Sequence, residues 1–166
     1  METQRPDFRA ILRILVHHQV DFIVIGGVAA VLHGAPVTTF DLDIVHSRTD
    51  TNLDRLQEAL TELGAYYREL QDRRLVPQRA NLALAGHHLL LTRAGPLDLI
   101  GAVVAGRGFI ELLPHTREID LGEGMAVRIL DLRTLIEIKE KLGRERDRAV
   151  LPILRRTLEE HSGGSG

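Results

Sequence analysis

Apolar residues recur along the chain in two different rhythms, and the alternation between them predicts most of the secondary structure. Phe8, Ile11, Leu12, Leu15 and Val16 fall at helical spacing behind Pro6 and Asp7, which are good helix-start residues, so an amphipathic helix is predicted over 8–18. Residues 20–25 are short, apolar and rich in branched side chains, and they stop at Gly26-Gly27 as a buried strand does on reaching a tight turn. A short Ala-rich helix is predicted over 28–33, closed by Gly34. After Ala35-Pro36 a second strand is predicted over 40–45, with Asp41 and Asp43 alternating with Leu42 and Ile44.

Leu53, Leu56, Leu60 and Leu63 mark a helix over 50–63, with Asp50 or Thr51 as its cap and Gly64 at its end. Residues 88–92 and 96–100 read as antiparallel strands joined at Arg93-Ala94-Gly95, and 117–121 with 125–130 as a second hairpin turning at Gly122-Glu123-Gly124. Residues 109–113 have helical character. Asp131 is a plausible cap for a helix over 132–142 that Gly143 ends, and a last helix is predicted to about residue 160, with Pro152 starting or kinking its final portion. No period emerges over 66–85, where Arg68, Arg73, Arg74 and Arg79 interrupt the pattern around Pro77. Residues 161–166 are linker-like and expected to be disordered. One domain is therefore expected over 1–160, an α+β arrangement in which helices flank a mixed, mostly antiparallel sheet and the chain ends in helices.

Composition narrows the function classes only a little. With 166 residues, 44% hydrophobic and 27% charged, the chain can bury a substantial core and lies far from the composition of disordered segments. The formal net charge of -2 advertises no global field for nucleic acid. The absence of cysteine excludes disulfides and thiolate metal sites, and it fits a cytoplasmic setting. No apolar run approaches the ~20 residues of a membrane helix, so no membrane partner is expected. The eight histidines are scattered without the four-residue helical spacing of a zinc site, and no chemistry is assigned to them.

The chemistry concentrates in 22–45, FIVIGGVAAVLHGAPVTTFDLDIV. Glycines at a helix start let the backbone approach a phosphate closely, so Gly26 and Gly27 are candidates to cradle a triphosphate. Residues two apart on a strand share a face, which sets the Asp41 and Asp43 carboxylates side by side. Adjacent anions repel unless cations fill the space, and hard oxygen donors suit Mg²⁺. Asp98, within the apolar run Pro96-Leu97-Asp98-Leu99-Ile100, is the candidate third carboxylate of a two-ion site. Each part also has a plainer reading: Gly26-Gly27 as a simple turn, the aspartates as solvated or capping groups, and Asp98 paired with a buried arginine such as Arg93 or Arg128.

Taken in order, these residues resemble the minimal nucleotidyltransferases of the polymerase-beta superfamily, in particular small bacterial proteins related to toxin-type and antibiotic nucleotidyltransferases. The shared pattern is an apolar strand, Gly-Gly, about a dozen residues, carboxylate-apolar-carboxylate, and a later carboxylate on a separate strand. The resemblance continues through residues 88–98, and through Leu135-Ile136-Glu137-Ile138-Lys139 followed by Gly143-Arg144 and Asp147. Where relatives often carry a basic or small polar residue just before the first aspartate, this chain has Phe40, with Val37 nearby and Thr38 and Thr39 as the polar residues.

The resemblance implies a nucleotidyltransferase fold with Asp41, Asp43 and Asp98 as catalytic and metal-holding residues, two Mg²⁺ or Mn²⁺ ions, and nucleotide contacts at Gly26, Gly27, Thr39, Lys139 and Arg144. The implied reaction transfers a nucleoside monophosphate from a nucleoside triphosphate to an acceptor hydroxyl on RNA, protein or a small molecule. A toxin-antitoxin setting, an antibiotic-modifying enzyme and a catalytically silent nucleotide sensor or partner-binding module are the alternatives it leaves open. It also leaves open a homodimer or a cognate partner protein.

Overall fold

The computed structural model describes residues 5–70 and 72–163 and resolves the sequence rhythms into a seven-stranded sheet with helices packed on it. Helix α1 (Phe8–His17) is capped by the Asp7 side chain, which accepts from the Ala10 amide, and it buries Ile11, Leu12 and Leu15. Strand β1 (Phe22–Ile25) is buried along its whole length and runs directly into α2 (Gly26–Leu32), so the two glycines form the first turn of that helix rather than a loop before it. Strand β2 (Leu42–His46) begins later than its sequence pattern suggests: Phe40 and Asp41 lie in the bend that leads into it.

Helix α3 (Asp50–Glu62) is capped not by Asp50 or Thr51 but by Thr49, whose side chain accepts from the Asn52 amide. The segment without a readable period contains β3 (Tyr66–Tyr67), a 3-10 turn over Arg68–Leu70 and the short α4 (Arg79–Leu82). Strands β4 (His87–Thr92) and β5 (Gly95–Ile100) form the first hairpin, and α5 (Phe109–Leu112) precedes the second, β6 (Thr116–Asp120) and β7 (Ala126–Leu130). Helix α6 (Leu132–Leu142) is capped by Asp131 and stops at Gly143, whose φ of 59° is left-handed. Helix α7 (Glu145–Gly163) continues through Pro152 and includes residues 161–163, which the composition had marked as linker; 164–166 lie outside the described residues.

The strand order is β3-β4-β5-β2-β1-β7-β6. Pairs β1/β7 and β2/β5 are parallel and the other four are antiparallel, giving the mixed, mostly antiparallel sheet expected. Alternation along β2 and β5 turns Leu42, Ile44, Leu97 and Leu99 toward one face, where all four are fully buried. Asp43 and Asp98 fall on the opposite face at the centre of the sheet. No helix among the described residues is long and apolar enough to cross a membrane.

Candidate metal centre

Register brings the acids together. The parallel pairing of β2 with β5 sets Asp43 opposite Asp98, and the antiparallel pairing of β1 with β2 sets Asp43 opposite Ile25, immediately before Gly26. Asp41 joins from the bend before β2. One carboxylate oxygen from each of Asp41, Asp43 and Asp98 lies within 4.8 Å of the other two. Among the described residues this is the only group of three or more acidic or histidine side chains drawn together in that way.

The glycines show why small residues are required beside this group. Gly26 adopts φ +66°, and a Cβ built on it would collide with the Asp43 carboxylate. A Cβ on Gly27 would come within 2.6 Å of Thr39 Oγ1. Thr39 in turn donates from Oγ1 to the Asp41 carbonyl at 3.0 Å, tying the bend to the position it must hold for Asp41 to reach the cluster. The start of α2 is therefore packed against the acids and the bend that carries them.

The electrostatics are those of anions held together against their repulsion. Asp43 is pushed up to about 8, first by burial and then by Asp41 and Asp98, with Lys139 opposing. Burial likewise raises Asp41 above its ordinary value and Asp98 adds to it, while Arg68 and Arg146 pull the other way. Asp98 has a cation bound to it: Arg68 Nη1 donates to Asp98 Oδ1 at 2.9 Å and to the Leu90 carbonyl at 2.9 Å. The partner of Asp98 is thus Arg68, from the segment with no readable pattern, and neither Arg93 nor Arg128.

The two basic residues expected near a phosphate are joined through one acid. Asp147 is almost fully buried and accepts from Arg144 Nε at 2.6 Å and from Lys139 Nζ at 3.4 Å. Lys139 acts electrostatically on Asp43 and so reaches the cluster, whereas the Arg144 guanidinium is taken up by Asp147. Arg146, in the first turn of α7, acts on Asp41. Phe40, beside Asp41, is 75% exposed.

Three hard oxygen donors within this distance fit a divalent ion. Adjacent oxygens on an octahedral ion with ~2.1 Å bonds lie ~3 Å apart, so the carboxylates would close in on a single ion, and a wider spread would suit two ions ~4 Å apart. The donor set contains no thiolate or imidazole, which argues for a hard cation over a soft one.

This architecture, a mixed sheet whose central strands set Asp43 opposite Asp98, with Asp41 in the bend before β2 and a Gly-Gly helix start beside them, is the nucleotidyltransferase fold. Among solved structures, a Thermotoga maritima protein provisionally named a nucleotidyltransferase aligns with 92% of this chain and 91% of its own, with a TM-score of 0.56 and 20% identity. At that identity the likeness speaks for the fold. No family model matches the chain, and no curated protein does.

Proposed function

We propose that the chain is a metal-dependent nucleotidyltransferase that moves a nucleoside monophosphate from a nucleoside triphosphate to an acceptor hydroxyl on RNA, protein or a small molecule and releases pyrophosphate. The observation that carries this reading is the convergence of Asp41, Asp43 and Asp98 on the sheet face beside Gly26. Repulsion within such a group is relieved by a divalent ion, whose remaining coordination positions a polyphosphate can fill.

Asp41 and Asp43 would hold the ion that meets the triphosphate, with Asp98 completing a second position or accepting the proton of the attacking hydroxyl. When bound, Mg²⁺ or Mn²⁺ would neutralise phosphate charge and make the acceptor hydroxyl easier to deprotonate. Gly26 and Gly27, lacking side chains, let the start of α2 pack against Asp43 and Thr39 and so bring its backbone beside the acids where a metal-bound phosphate would lie. Thr39 fixes the Asp41 backbone. Lys139, held by Asp147, places a positive charge near Asp43 where phosphate charge must be balanced, and Arg144 fixes the Asp147 carboxylate that holds it. In-line attack on the α phosphorus forms the new phosphoester as the bond to pyrophosphate breaks, and the hydroxyl proton leaves to Asp98 or to solvent.

Incubation with labelled nucleoside triphosphates, Mg²⁺ and cell lysate tests the reading. Label is expected on an acceptor, and it is expected to vanish in Asp41→Asn and Asp43→Asn. Absence of label on any acceptor, together with no calorimetric binding of any triphosphate with metal, overturns it. A second reading, a catalytically silent nucleotide-binding protein, draws on the cation that Asp98 already holds and on exposed Phe40 where relatives carry a basic or small polar residue. Tight triphosphate binding without transfer to any acceptor would favour it.

A further inference from the structure

The ion pair between Arg68 and Asp98 is built into the fold rather than laid on its surface. Strand β3 pairs with β4 through Tyr67 opposite Leu90, and the Tyr67 amide also donates to the Leu75 carbonyl, so the backbone leading into Arg68 is fixed from both sides. From there one guanidinium nitrogen is shared between the Leu90 carbonyl and Asp98 Oδ1, each at 2.9 Å. The Asp98 side chain is 11% exposed and that of Arg68 27%, so water screens the pair far less than it screens a surface pair. Arg68 is therefore the cation in direct contact with the three carboxylates, with Lys139 and Arg146 acting from farther away, and one oxygen of Asp98 is already engaged.

We propose that Arg68 is a tethered counterion of the acidic cluster and limits its uptake of divalent ions: without nucleotide, one ion binds through Asp41 and Asp43, and the guanidinium on Asp98 Oδ1 opposes a second ion at Asp98. This rests on the metal-dependent reading above and adds to it a residue that acts through Asp98. Arg68 is accordingly a positioning residue. Its fixed charge reduces the repulsion that an ion would otherwise relieve, and its bond to Oδ1 leaves only the other oxygen of Asp98 for coordination. Removing that charge leaves the cluster with one more uncompensated negative charge and a free third carboxylate, so metal binding should tighten rather than weaken. A merely structural role for Arg68 predicts the opposite sign.

The test is a Mn²⁺ titration of the full chain without nucleotide, with free ion counted by electron paramagnetic resonance and folding checked by thermal melts. The wild type is expected to take up one Mn²⁺ per chain. Arg68→Ala is expected to bind Mn²⁺ about tenfold more tightly or to take up a second ion, and Arg68→Gln, which removes the charge while keeping a polar side chain of similar bulk near the backbone, is expected to do the same. Both changes should have a much smaller effect on an Asp98→Asn background, where only the action of Arg68 on Asp41 remains. Should Arg68→Ala fail to fold, Arg68→Gln decides the matter. Wild-type Mn²⁺ binding that stays equal or weakens in a folded Arg68 variant overturns the role of Arg68 and leaves the metal-dependent reading intact; no uptake by the wild type or by either variant overturns both.

Discussion

Replacing Asp43 by Asn should make the metal-free protein more stable at alkaline pH, an unusual outcome for a change in a central strand. The Asp43 carboxyl stands at about 8 against an ordinary 3.8. Taken alone, that difference corresponds to a penalty on the ionised form on the order of 5–6 kcal/mol. Sharing of the charge among three acids and partial solvent contact reduce it, and roughly 2–3 kcal/mol is the part expected to be recovered.

The sign follows from proton binding. A carboxyl whose folded value is raised binds more protons in the native state than in the unfolded chain, so stability falls as pH rises from about 4 through about 8. Buried His33, His46 and His88 work the other way, since burial lowers each of them and stability from that source falls as pH drops below their ordinary value of 6.5. The difference between variant and wild type cancels the histidines.

Melts followed by circular dichroism from pH 4 to 9 in a chelator should show the two proteins close together at pH 4, with the gap opening as pH rises. By pH 9 Asp43→Asn should melt roughly 5–10 °C higher, at roughly 2–4 °C per kcal/mol for a chain of this size. Mg²⁺ should reverse the order by stabilising only the wild type. An Asp43→Asn protein less stable than wild type at pH 9, or a difference that does not change with pH, would refute the claim that repulsion dominates this cluster.

Further consequences follow from the same contacts. Gly26→Ala forces a methyl group into the Asp43 carboxylate and an alanine into φ +66°, so it should cost roughly 1–3 kcal/mol in a denaturant titration and should weaken Mn²⁺ uptake in calorimetry. Asp147→Ala removes the buried acid that joins α6 to α7 and releases Lys139 and Arg144; a stability loss of roughly 3 kcal/mol is expected, with weaker triphosphate binding at unchanged Mn²⁺ affinity. Thr39→Val breaks the bond to the Asp41 carbonyl while keeping the shape, and it should lower stability by about 1 kcal/mol and metal affinity by several-fold.

The fold was legible wherever one period held over a whole element. Phe8 to Val16 and Leu53 to Leu60 declared their helices, and the glycine turns at Gly95 and at 122–124 declared their hairpins, because each pattern is local and turn chemistry marks its ends. The three aspartates could be named because carboxylates in apolar strands are costly without a partner. Boundaries at the site were less legible. The alternation of Asp41 with Asp43 mimics a strand through residue 40, yet the chain bends there under the control of Thr39 and Gly27, contacts that spacing does not encode. Arg68 was hidden for a related reason: it lies thirty positions before Asp98, in a segment of short elements, and only the β3/β4/β5 pairing brings it there. The division of labour between Lys139 and Arg144 likewise depends on Asp147, whose burial arises from packing between two helices.

Crystals soaked with Mn²⁺ and a non-hydrolysable nucleoside triphosphate address the central claim most directly, through the anomalous signal of the metal. Peaks within coordinating distance of Asp41, Asp43 and Asp98, with phosphate density against Gly26 and Gly27, are the predicted result. An absence of anomalous signal at that cluster in crystals that bind the triphosphate elsewhere, with Arg68 still seated on Asp98, would contradict it.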